Sequence, residues 1–136
     1  LGVRFDSYFN EDTLYADGSI ERTLAELRAR DLAYDAEGAV WLRGEPLGLD
    51  KDRVLVKSTG EPAYRLPDIS YHENKLSRGF DLCVNVLGAD HIAEHQEVKK
   101  ALAGIGRDAE RVKAIIYQFV TLTRGGVQVK MSTRRA

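Results

Sequence analysis

Gly88-Ala89-Asp90-His91 follows directly on an apolar run at 82–87. That run reads as a short strand with little alternation, as expected for a strand covered on both faces. Ligands of parallel α/β sheets bind past the carboxyl ends of their strands, so the tetrad is a candidate site. His91 and His95 are four residues apart, a spacing that can pair two imidazoles on a metal. No glutamate stands in the His-Glu-x-x-His position and no third ligand is evident, so no metal is expected. On residue type alone, Asp68 reads as an acid at a helix N-terminus, Tyr64 as a core aromatic and His72 as a helix-surface or packed histidine. Lys130, Arg134 and Arg135 fall within the last seven residues with no acid among them, usually the mark of a solvated basic tail. The lone Cys83 cannot form an internal disulfide. Its apolar neighbours make it a small core residue, and a reducing compartment fits.

The elements that would hold these residues change rhythm along the chain. The first sixteen residues mix aromatics and acids without a period and read as a loosely structured entry whose aromatics dock on something. Ser19 can cap a helix to about Arg30, with Ile20, Leu24 and Leu27 on one apolar face. Asp35-Ala36-Glu37-Gly38 reads as a turn. Ala39–Arg43 and Arg53–Lys57 read as short strands, separated by a loop marked by Gly44, Pro46 and Gly48. Ser58-Thr59-Gly60-Glu61 reads as a hairpin-type turn into Ala63–Leu66. From about residue 61 the order becomes helix, strand, helix, strand, as in a parallel α/β sheet. Pro67 opens a helix ended by Gly79. A second helix carries Val98, Ala101, Leu102 and Ile105, with Gly104 and Gly106 at its end, and Ala114–Tyr117 is the next strand.

At 136 residues the chain suits one domain. Hydrophobic residues at 43% and charged residues at 30% are a soluble globular mixture. A net charge of −1 argues against a generic polyanion-binding domain. No apolar run approaches the ~18 residues of a membrane span, since the longest, Ala114–Val120, is interrupted by Gln118. Leu1-Gly2-Val3-Arg4-Phe5 lacks the basic opening and apolar stretch of a signal peptide. The expectation is a piece of a longer cytoplasmic protein.

Lys130-Met131-Ser132-Thr133-Arg134 resembles the Lys-Met-Ser-Lys-Ser signature loop of class I aminoacyl-tRNA synthetases. Gly88-Ala89-Asp90-His91 stands about forty residues upstream, like the nucleotide-ribose loop of that class. Val54-Leu55-Val56-Lys57-Ser58, Leu66-Pro67-Asp68-Ile69-Ser70-Tyr71-His72 and Val86-Leu87-Gly88-Ala89-Asp90-His91 are similar, in order, to landmarks of the arginyl-tRNA synthetase family. Phe5-Asp6-Ser7-Tyr8-Phe9 and Gly38-Ala39-Val40-Trp41-Leu42 are similar to it as well, so the resemblance covers nearly the whole chain. It departs at Thr133, where the signature has its second lysine, and at Ile92, where the family often has a second histidine.

The resemblance implies an α/β fold. Residues 61–136 would form the second half of a Rossmann-like nucleotide-binding fold, and residues 1–60 a small insertion-type α+β region before it. It implies ATP-dependent joining of arginine to tRNA(Arg), with Mg2+ accompanying ATP. Lys130 would neutralise phosphate charge in the transition state. Met131 would pack near adenine, Ser132 would bond within the loop or to phosphate, and Arg134 is placed to supply the charge absent at Thr133. Gly88, Asp90 and His91 would contact ribose or adenosine, and Tyr117 and Gln118 would line the ATP side. Tyr64 and Asp68 match the Tyr and Asp that the family places in its arginine pocket. The His-x-Gly-His loop of the class does not occur, so the chain alone is expected to be inactive. The competing readings are a non-catalytic module that binds nucleotide or a protein partner, and another nucleotidyl-transferring enzyme with a similar loop.

Overall fold

The computed structural model describes residues 2–118 and 121–129. The entry segment is more ordered than its composition suggests. It contains a short helix, α1 (Asp12–Ala16), whose Leu14 is fully buried. Phe9 stacks on Tyr71 with ring centroids 4.9 Å apart, while Phe5 and Tyr8 remain exposed.

Helix α2 (Ser19–Ala29) buries Ile20, Thr23 and Leu27, the inner stripe of an amphipathic helix. Ser19 is its first helical residue rather than its cap. The capping bond comes from Asp17, whose Oδ1 accepts from the Ser19 N–H at 2.9 Å. Strands β1 (Ala33–Ala36), β2 (Ala39–Leu42) and β3 (Arg53–Val56) form an antiparallel meander in that order. Asp35 and Ala36, expected in a turn, belong to β1. The turn contracts to Glu37 and Gly38, both with positive φ, the two-residue geometry that matches strand twist.

The strand expected at Ala63–Leu66 does not form. An isolated bridge joins Val56 to Pro62, and helix α3 (Arg65–Ser77) begins instead. Pro67 falls in the first turn, where a missing N–H removes no helical bond. Starting earlier lets Leu66 and Ile69 enter the core at 0% and 1% exposure, which outweighs extending a hairpin. Gly79 follows the helix with φ of 82°, the left-handed stop.

Strand β4 (Cys83–Gly88), helix α4 (Ile92–Gly104) and strand β5 (Val112–Tyr117) form the β-α-β unit anticipated from the sequence. β4 and β5 pair in parallel from Cys83–Val112 to Gly88–Tyr117. A hairpin not anticipated, β6 (Leu122–Arg124) and β7 (Val127–Val129), turns through Gly125-Gly126. One core joins Leu14, Leu27, Leu42 and Leu55 to Leu66, Val98, Leu102 and Val112, on both sides of residue 60. The expectation of a doubly covered β4 is met on one face only. Among the described residues nothing covers Val84, Val86 and Ile115, which are 46%, 64% and 58% exposed. No helix of the described residues is long and apolar enough to cross a membrane.

Candidate functional site

The start of α3, the loop after β4 and the first turn of α4 converge on one depression. A cavity of about 240 Å3 is lined by Glu11, Tyr64, Pro67, Asp68, Tyr71, His91 and Glu94. An adjoining cavity of about 160 Å3 shares Asp68, Tyr71, His91 and Glu94, and adds His72, Lys75, Asn85, Leu87 and His95. Three carboxylates, Glu11, Asp68 and Glu94, and two tyrosines face the first space. That donor and acceptor set suits a cation with several N–H groups.

Each wall has a local cause. Tyr64 precedes the first helical residue and is 86% exposed, so it is not a core aromatic. Its carbonyl accepts from the Asp68 N–H at 3.1 Å, which places Asp68 one turn along the same helix. The Tyr71 ring is held between Phe9 and the Lys75 ammonium, which lies 4.2 Å from its centroid. Burial pushes the Lys75 amine below its ordinary range.

Arg65, the first residue of α3, donates from Nε to one Glu97 oxygen at 2.6 Å, and Arg53 of β3 donates to the other at 2.7 Å. Burial raises the Glu97 carboxyl, and the bonds from Arg65 and Arg53 more than offset it, so Glu97 stays ionised below the usual carboxylate range. This bridge fixes α3 and α4 against β3.

In the loop after β4, a Cβ on Gly88 would lie 2.5 Å from Asp90 Oδ1, so the half-exposed carboxylate folds back over the Gly88 backbone. His91 reaches outward, its Nε2 3.6 Å from Asp90 Oδ2 and its Nδ1 3.6 Å from Glu94 Oε2. His95 is 5% exposed and turns inward, its ring 6.4 Å from that of His72. Burial, and then the neighbouring His72, push His95 below its ordinary range. The two histidines therefore face different surroundings. Among the described residues no group of three or more His, Cys, Asp or Glu is placed to hold a metal ion.

A larger depression of about 490 Å3 lies between α2 and α3. Its charges already pair with one another. Arg107 donates to Glu73 Oε1 at 2.6 and 2.9 Å, and Thr23 donates to Glu73 Oε2 at 2.7 Å.

No family model matches the sequence. The whole chain aligns with the arginine–tRNA ligase of Desulfotalea psychrophila at 50% identity, covering 25% of that protein. It aligns over 99% of its length with that of Chlorobaculum parvum at 51% identity, again over 25% of the relative. The structure of an arginyl-tRNA synthetase from Campylobacter jejuni superposes with a TM-score of 0.81 at 35% identity, over 95% of this chain and 28% of that one. The chain is homologous to a segment of the arginine–tRNA ligases. It spans about a quarter of the length of the curated relatives it matches.

Tyr64, Asp68 and His91 share one cavity. Gly88 and Asp90 belong to the same turn as His91 but do not line that cavity. Tyr117 pairs with Gly88 at the same end of the sheet. Lys130, Met131, Ser132, Thr133 and Arg134 lie outside the described residues. Sequence reasoning missed Tyr71, Glu94, Lys75 and Asn85. Tyr71 and Glu94 each stand three residues past a named site residue, a helical spacing that places both on the same face. Asn85 left one signal, a lone amide inside an apolar strand.

Proposed function

We propose that this chain is the part of an arginine–tRNA ligase that receives arginine beside ATP. In that reaction the arginine carboxylate attacks the α-phosphate of ATP, pyrophosphate leaves, and the arginyl group then passes to tRNA(Arg). The observation that carries the reading is the cavity in which Tyr64 and Asp68 meet Glu94 and Glu11. A guanidinium offers five N–H donors and a fixed positive charge, and carboxylates accept these in pairs.

The half-exposed Asp90 carboxylate can accept from ribose hydroxyls at the carboxyl end of β4, with Gly88 leaving it room. His91 stands between the two ligand positions. Mg2+ accompanies ATP as part of that substrate. Lys130 and Ser132, with Met131 beside adenine, are assigned to the phosphate side by the signature they match, and Tyr117 and Gln118 to the ATP side. Residues 61–136 are read as the second half of the Rossmann-like nucleotide fold and residues 1–60 as the insertion-type region. The change from antiparallel to parallel pairing near residue 60 supports that division. A cytoplasmic place, with tRNA, follows from this reading.

The test is arginine-dependent ATP–pyrophosphate exchange in a full-length ligase carrying this segment. Asp68→Asn keeps the shape and removes the charge, costing about 2–5 kcal/mol of arginine recognition because a charged partner is left unpaired. The Michaelis constant for arginine should rise accordingly while that for ATP holds. Tyr64→Phe removes a neutral hydroxyl and should cost about 1 kcal/mol. If Asp68 only stabilises its helix, Asn serves about as well, and an arginine constant within about twofold of the parent sinks the assignment.

A further inference from the structure

Behind Asp68 runs a buried chain of hydrogen bonds whose direction is set by its far end. The Lys75 ammonium can only donate, and its Nζ lies 2.9 Å from Asn85 Oδ1. That contact fixes the orientation of the amide. Asn85 Nδ2 therefore faces His72 Nε2, at 2.8 Å, and donates to it. An Nε2 that accepts carries no proton, so the imidazole proton sits on Nδ1. Nδ1 lies 2.7 Å from the Asp68 carbonyl oxygen and 3.1 Å from the Asp68 carboxylate Oδ1, both pure acceptors. His72 is 3% exposed and Asn85 9%, so water does not compete for the bond between these two. His95 packs beside the ring of His72, 6.4 Å away, and burial holds it below its ordinary range.

We propose that His72 is a positioning residue: its Nδ1–H, fixed in one tautomer by Asn85 and Lys75, bonds the Asp68 carbonyl and stands beside the Asp68 carboxylate, so that this side chain is held at the start of its helix and aimed into the cavity. This rests on the reading of Asp68 as the guanidinium acceptor. Asn85 lies on β4, three residues before Gly88, so the chain also ties that carboxylate to the strand that ends in the ribose loop.

The experiment compares His72→Phe, which keeps a ring but removes the N–H, with His72→Asn, which loses ring volume but restores an amide N–H near the place of Nδ1. Both are made in a full-length ligase and read by arginine-dependent exchange. His72→Phe should raise the Michaelis constant for arginine about tenfold, as expected when a hydrogen bond to the Asp68 carbonyl and the polar N–H beside its carboxylate are both lost, with that for ATP within about twofold. His72→Asn should recover most of that loss. A role in packing alone predicts the reverse order, and that order overturns the proposal, as does an equal rise in both constants. Should His72→Phe fail to fold, Asn85→Leu removes the anchor of the tautomer and is read the same way. There a rise confined to arginine supports the proposal, and an arginine constant within about twofold overturns it. Asp68→Asn is measured alongside. If it is silent, the pocket reading fails and this proposal with it. If it is damaging while the His72 and Asn85 variants are silent, only the positioning role fails.

Discussion

In the loop after β4, which we propose takes the ribose, a carboxylate folds back over a glycine. The Asp90 Oδ1 occupies space that a Cβ on Gly88 would claim, at a separation of 2.5 Å. The Gly88 backbone, with φ of −67° and ψ of 154°, suits any residue, so alanine there is not strained in itself. The methyl of Gly88→Ala must instead turn the Asp90 carboxylate away. In a full-length ligase this should raise the Michaelis constant for ATP about tenfold, the cost of a lost hydrogen bond from a charged group. The constant for arginine should hold, because Tyr64 and Asp68 stand on a different element. A rise confined to arginine would contradict the assignment of Asp90. At this scale residue type alone leaves Asp68 as a helix acid, and it is the resemblance that singles out Tyr64, Asp68 and His91, which do line one cavity. The sequence is not legible where a buried partner lies far along the chain. Nothing local in His72 or Asn85 shows that the imidazole and the amide meet across thirteen residues, because tertiary packing alone brings α3 onto β4.

Elements are held in place by the Glu97 bridge, which no sequence pattern revealed. Glu97 is 8% exposed and takes Arg65 on one oxygen and Arg53 on the other. Removing the Glu97 charge leaves Arg65 without its carboxylate and Arg53 with only the exposed Asp50, at a cost of up to about 3–5 kcal/mol. Glu97→Gln should therefore lower the melting temperature of a full-length ligase. The pH dependence has a definite sign. The folded Glu97 carboxyl is held below its ordinary value, so its contribution is full above the unfolded carboxyl range and is lost as pH falls through the depressed folded value. Melting measured from neutral to acid pH should show the gap between parent and Glu97→Gln narrowing as the medium is acidified. A gap that widens contradicts the bridge. The elements themselves were read with uneven success for physical reasons. The β4-α4-β5 unit was legible because its apolar runs and helical period are long. The entry helix α1 and strand β1 were not, because each is five residues or fewer and its burial is decided by distant packing. The start of α3 was misread because Pro67 was taken as its first residue, although proline suits the whole first turn.

Among the described residues one sheet face is left open at the scale of the whole molecule. Val84, Val86 and Ile115 lie on it, with Phe80 and Leu82 exposed close by in sequence, at 65% and 52%. Parallel strands are ordinarily covered on both faces, and the chain spans only about a quarter of its relatives. On the proposed reading as part of a longer ligase, the rest of that protein would cover this face. Two consequences separate this from an autonomous module. The 136-residue chain by itself should give no arginine-dependent exchange, and it should self-associate at micromolar concentration through the open face. Val86→Glu places a charge at the centre of that face. In the isolated chain it should reduce association, because apolar contact is replaced by like-charge repulsion between copies. In a full-length ligase the same substitution should destabilise, because the charge is then buried without a partner. Sedimentation of the isolated chain and melting of the full-length protein read the two effects. An isolated chain that stays monomeric, together with a full-length protein indifferent to Val86→Glu, would mean that the face is open to solvent in both, and the segment would then stand as a module of its own.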